Sequence, residues 1–169
     1  MKIIEGLKKI KELQKKAEDL RGKVGQYHVH LSTEQPVYGS DQKSTVQGWM
    51  QAHSDIMKEI LDLRLAIQRT NLAVEVSIDI SGKSVTKSIA AWIHRRRDLA
   101  EQEAKMWGRL NDRGLTDKVI MSTQADRQEI KVVRYYDPKE RDNKLEEYTS
   151  EPHAIDARLE IVNATTDLQ

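Results

Sequence analysis

The chain has 169 residues, of which 38% are apolar and 33% charged, with 28 basic and 27 acidic side chains, no cysteine and no phenylalanine. Interleaved charges summing to +1 leave no basic block to drive binding to a polyanion, so nucleic acid is not an expected partner. Lack of cysteine excludes disulfides, Cys-ligated zinc and thiol nucleophiles, and an apolar share below the roughly 45–50% of ordinary domains predicts a thin, aliphatic core.

The length suits one domain over 1–169. Ile3, Leu7, Ile10, Leu13, Ala17, Leu20 and Val24 recur every three or four positions, which predicts an amphipathic helix from Lys2 to about Val24. Charges run through this opening stretch, MKIIEGLKKIKEL, so it reads as neither an export signal nor a membrane span, and a cytoplasmic location is expected. Tyr27-His28-Val29-His30-Leu31 alternates as a half-buried strand or forms an ordered loop. Pro36, Gly39, Ser40 and Asp41 belong to turns, and residues 26–43 read as a loop insert.

Ser44-Thr45-Val46-Gln47 has capping-box spacing and predicts the start of a second helix, striped by Val46, Trp49, Ile56, Ile60, Leu63 and Ile67 and ending near Asn71. Residues 74–80 alternate as a strand, with a turn at Ser81-Gly82-Lys83-Ser84 and a third helix from about Val85 to Asn111. A second strand, residues 129–136, is expected to pair with the first. Asp137-Pro138 then supplies a cap and a first-turn proline for a fourth helix, with a kink or restart near Ser150 ahead of Pro152.

By its pattern the chain resembles the septicolysin-like family, small helical proteins of bacteria and phages whose function is largely unknown. The resemblance runs through MKIIEGLKKIKELQKKAEDL, LAIQRTNLA, KSIAAWIHRRRDLAEQ, QEIKVVRYYD and IDARLEIVNATTDL. The family name implies pore formation, whereas no segment here is apolar or alternating over a bilayer's length, and a membrane is not an expected partner.

Candidate chemistry gathers at two helix ends. Arg69, Thr70 and Asn71 close the second helix, and Asn163, Thr165 and Thr166 close the chain. Arginine presents a planar fork to phosphate or carboxylate, and Asn and Thr read base or ribose edges. The structural alternative is that these side chains satisfy the last carbonyls of their helices. In His94-Arg95-Arg96-Arg97 the helical rotation keeps three arginines off one face, so one is expected to point inward towards the polar cluster, and Arg95 is the candidate named for the site. Lys131, Arg134 and Tyr135 add cations and an aromatic face suited to a purine, or else a strand packing its tyrosine on a helix. His28 and His30 share one strand face but have no third ligand at metal-site spacing, so no metal or cofactor is expected. Ser81-Gly82-Lys83-Ser84 lacks the first glycine of a P-loop.

The expected fold is mainly α, with antiparallel long-helix pairs and a small antiparallel β-hairpin or sheet, assembled as a homo-oligomer through its helical stripes. The expected function is non-catalytic sequestration of an anionic small molecule, a (cyclic) nucleotide immune signal in a phage anti-defence role within the host cytoplasm. The alternative is a structural coiled-coil assembly or adaptor protein without a small-molecule ligand.

Overall fold

The computed structural model describes residues 1–115 and 131–169. Helix α1 spans Ile3–Tyr27 and α2 spans Gln42–Ala73, joined by a turn-rich segment that ends in a 3-10 turn at Gly39–Asp41. Strands β1 (Glu75–Ile80) and β2 (Lys83–Ser88) follow. Next come α3 (Ile89–His94), a π-helical turn at Arg95–Leu99 and α4 (Ala100–Trp107), continuous with one another. Helix α5 covers Pro138–Thr165. The chain divides into two compact units, Met1–Val74 with Glu160–Gln169, and Glu75–Leu159.

In the first unit α1 and α2 run antiparallel, and their apolar stripes meet. Ile10, Leu13 and Ile60 are buried together, with Ile56, Leu63 and Ile67 packed around them. An antiparallel pair is the simplest way for two such stripes to cover each other across a short connection. The expected strand at residues 27–31 does not form: α1 continues through Tyr27, and residues 28–38 are irregular or in turns. Tyr27, Tyr38 and Trp49 pack together with ring centroids 5.5–5.9 Å apart, Tyr38 edge-on to both partners and Tyr27 tilted against Trp49. Gln42 Nε2 donates to Tyr27 O at 2.7 Å, and Gln42 Oε1 accepts from Tyr38 N at 3.0 Å. The insert is thereby tied to both helices by aromatic packing.

The Ser44 capping box is also replaced. Helix α2 begins at Gln42, and Ser44 Oγ donates back to Asp41 O at 2.9 Å.

The second unit holds the sheet. β1 pairs antiparallel with β2, from Glu75↔Ser88 to Ile80↔Lys83. Ser81 and Gly82 both have positive φ, +48° and +79°, which the tight two-residue hairpin requires. The expected pairing with residues 129–136 is therefore corrected: the strand partner is the next segment, closed by a two-residue loop at little entropic cost. Residues 131–136 are irregular, and 129–130 lie outside the described residues. The third helix accordingly starts at Ile89, where Ser88 Oγ accepts from Ala91 N at 3.2 Å. Val76, Ile78 and Ile80 turn one face of β1 inward, and Trp92, 1% exposed, donates from Nε1 to Val76 O at 2.9 Å.

α5 starts as expected, with Pro138 in its first turn and Asp137 Oδ1 accepting from Lys139 N at 2.8 Å. It runs through Pro152 without a restart. Within the second unit α5 lies antiparallel to the α3–α4 helix, as contacts from Arg95 to Glu151 and from Leu110 to Arg141 show.

Candidate functional site

The helix-end motifs of the first unit form a clasp on the chain termini. Ile3 N donates to Thr166 O at 3.0 Å and Leu168 N to Met1 O at 2.9 Å, with Lys2 opposite Asp167 as an isolated bridge. Lys2 Nζ reaches Asp167 Oδ2 at 2.6 Å, and this hydrogen bond lowers the Asp167 carboxyl below its ordinary range. Thr70 is fully buried: its Oγ1 donates to Ala66 O and accepts from Gln169 N, both at 2.9 Å. Thr165 Oγ1 donates to Ile161 O at 2.9 Å. Leu168 sits where a side chain at Gly6 would stand, 2.9 Å from the position of a Cβ there. Arg69 is exposed and has no ion-pair partner among the described residues, Asn163 is half-buried, and the Oδ1 of Asn71 is buried without a hydrogen bond.

The second unit uses its arginines differently. Arg95 forms a two-pronged bond with Glu151, Nε to Oε1 at 2.7 Å and Nη2 to Oε2 at 2.5 Å, with the carboxylate side chain only 6% exposed. Tyr148 lies 5.5 Å from the guanidinium, and the Glu151 bond holds the Arg95 pKa above its ordinary value. Of the three arginines Arg95 turns to a largely buried partner, and its fork is filled by a carboxylate of the same chain rather than aimed at the helix-end motifs. Arg96 pairs with Asp156 at 2.7 Å, and Arg97 is exposed. Arg134 forks onto Asp112, which also accepts from Tyr136 OH at 3.1 Å. Tyr135 is 98% exposed and Lys131 is exposed. The structure gathers Thr70, Asn71, Thr165 and Thr166 around the terminal end of the first unit, while Arg95, Lys131, Arg134 and Tyr135 belong to the second.

A second unsatisfied polar atom lies at the other end of the α1–α2 pair. A groove of about 460 Å³ is walled by Leu20, Arg21, Val24, Gly25, His28, Met50 and His53. The Nε2 of His53 is buried there without any hydrogen-bond partner. His28 Nδ1 donates to Val24 O at 3.0 Å and Gly25 O at 3.1 Å, which leaves its Nε2 as the ring atom open to a ligand. Arg21 is exposed and pairs with Glu18 one turn back. A second, more polar hollow adjoins it, lined by Tyr27, His28, His30, Lys43 and Gln47 among others.

Sequence reasoning weighed His28 and His30 only as metal ligands. Among the described residues no cluster of three or more His, Cys, Asp or Glu is placed to hold a metal. His53 gave no signal in the sequence, because its place beside α1 is set only once α2 folds back along that helix.

Residues 10–168 match a family of unknown function, DUF6847, and the chain belongs to that family. Its fold is similar to that of the crystal structure of a functionally unknown conserved protein from Corynebacterium diphtheriae, at 22% identity and a TM-score of 0.57, covering 100% of this chain and 99% of that one. That likeness concerns the fold alone. No curated protein matches. Among the described residues no helix is long and apolar enough to cross a membrane.

Proposed function

We propose that the protein is a non-catalytic binding protein for an anionic small molecule with an apolar or planar body, seated in the groove between α1 and α2. The observation that carries this reading is the orphaned His53 Nε2 in a wall otherwise made by Leu20, Val24 and Met50. A buried polar atom with no partner costs about 1–3 kcal/mol, and a ligand hydroxyl or N–H that bonded it would relieve that cost. Arg21 at the rim presents a guanidinium to an anion, and His28 Nε2 adds a polar ring atom beside it. A nucleotide has both halves of this chemistry, and sequestering a cyclic nucleotide signal remains the form of the proposal to test first.

The test is native mass spectrometry and calorimetry against a panel of mononucleotides and cyclic nucleotides. Stoichiometric uptake that drops on the order of tenfold or more in His53→Ala and Arg21→Ala, and is unchanged in Arg69→Ala, supports the groove. Uptake lost in Arg69→Ala alone moves the site to the helix ends, and no uptake across the panel removes the nucleotide reading.

A second reading, a self-associating assembly or adaptor protein, is favoured by a separate observation. Met57, Leu61, Leu65 and Leu72 on α2, with Met50 at the edge of the groove, are 39–62% exposed, an apolar row that α1 leaves uncovered.

A further inference from the structure

We infer that the outer face of α2 pairs with the same face of a second copy, antiparallel about a twofold axis at Leu61. This rests on the self-association reading and adds to it the face, the direction and the register. At about 100° per residue, Met50, Met57, Leu61, Leu65 and Leu72 fall within about 80° of the helix surface, so they form one stripe rather than scattered side chains. All five are exposed, while the face that the helix buries against α1, with Ile56, Ile60, Leu63 and Ile67, lies about 130° round from them.

The stripe reads the same in both directions. The exposed polar residues Ser54 and Gln68 also fall on it, giving the order Met50, Ser54, Met57, Leu61, Leu65, Gln68, Leu72. Reversed about Leu61, Met50 meets Leu72, Ser54 meets Gln68, Met57 meets Leu65, and Leu61 meets itself. Apolar therefore faces apolar and polar faces polar at every step, which is what a self-complementary twofold contact requires. A one-turn slip breaks this match by setting apolar side chains against Ser54 and Gln68.

Charge on the flank selects the same direction. Asp55, Lys58, Asp62 and Arg69 line one edge of the stripe, all exposed. In the antiparallel register Lys58 comes opposite Asp62 of the second copy, and Asp55 opposite its Arg69, each twice by symmetry. In a parallel pair the twofold axis runs along the helices, so this edge would meet the partner's other edge and these four charges would not pair with one another. From residue 50 to residue 72 the contact is about 33 Å long at about 1.5 Å per residue. One helix face of that length lies at the small end of specific interfaces, about 1,200 Å² or less in total, so the pair is expected to be concentration-dependent.

The chain has no cysteine, so single cysteines introduced on this face report on it alone. The full chain carrying Leu61→Cys, Leu72→Cys, or Met50→Cys with Leu72→Cys is oxidised with copper phenanthroline, alongside sedimentation of the unmodified protein across a concentration series. The inference predicts dimer by sedimentation, rapid 61-to-61 linkage, slow linkage for Leu72→Cys alone, and rapid linkage for the 50/72 double variant. Leu61→Glu, on an exposed position that should not disturb the monomer fold, should shift dissociation at least tenfold towards monomer. Rapid linkage of Leu72→Cys alone would show a parallel pair and overturn the register. Dimers without 61-to-61 linkage would place self-association on another face and overturn the inference while leaving that reading standing. A monomer at every concentration removes both.

Discussion

The two units contrast in how they use polar side chains that look available in the sequence. In the first, Thr70 and the residues around Thr166 are spent on neutral hydrogen bonds that fasten both chain ends, with Lys2 and Asp167 on the wet side. In the second, the work falls to a charged pair, Arg95 with Glu151, withdrawn from water on a π-helical turn. Thr70, Arg95 and Arg134, which could bind a ligand, are thus consumed internally. Among the described residues the buried side-chain atoms left without a hydrogen bond are His53 Nε2 and Asn71 Oδ1, of which Asn71 stands out in the sequence and His53 does not. Helix ends and buried charges must be satisfied before they are free to recognise anything, so the atom left unsatisfied is the better guide to a binding site.

The largest effect should come from breaking the charged pair. Glu151→Ala leaves Arg95 without its partner in a site only 20% open for that side chain, and should cost about 2–3 kcal/mol, below the range for wholly buried pairs. Denaturant titration checks this. Replacing both partners, Arg95→Met with Glu151→Leu, should recover most of the loss, because no charge is then stranded. A double variant as unstable as the single one would mean that the pair does more than neutralise itself.

Breaking the clasp should matter less. Thr70→Val removes the acceptor for Gln169 N and should cost about 1–2 kcal/mol. Thr70→Ser keeps both hydrogen bonds and loses one buried methyl, about 0.8 kcal/mol. Hydrogen exchange sharpens the contrast: in Thr70→Val the amides of Ile3, Leu168 and Gln169 should lose protection, while those of β1 and β2 should not.

The smallest effect is the pH dependence of the ion pair at the clasp. The Asp167 carboxyl is held below its ordinary 3.8 chiefly by the Lys2 hydrogen bond. A depressed carboxyl stabilises the folded chain above its unfolded pKa, and that contribution disappears as pH falls through the lower folded value. Asp167→Asn should therefore melt slightly below the wild type at pH 7, and the gap should close on acidification below pH 4. An equal gap at both pH values would mean that the side chain acts by geometry alone.

Much of this architecture was legible in the chain. The stripes of α1 and α2 give helices of nearly the expected length, because a period of three to four leaves one apolar face that must be covered. Asp137-Pro138 opens α5 because proline needs no hydrogen-bond acceptor in a first turn. The strand at 74–80 was visible by alternation, but its partner was misassigned: KSVTKS in β2 is too polar to register as a strand, and only Ser81 and Gly82 at positive φ make the tight turn that recruits it. At Tyr27 the alternation competed with helix continuation and lost.

The site was less legible, since a side chain's free bonding capacity depends on what folds against it. Local patterning determined which segments are helical, which faces are apolar and where α5 starts, because those properties depend on neighbours a turn away. The palindromic row on α2 was also written there, although the helix period alone could not say which apolar residues α1 would leave exposed. Only the tertiary structure decided that Thr70 is spent on the C-terminus, that Arg95 is spent on Glu151 and that His53 is left with an empty ring nitrogen. Those outcomes join residues as far as 99 positions apart in the chain, and burial, rather than residue type, sets whether a polar atom is satisfied or waiting.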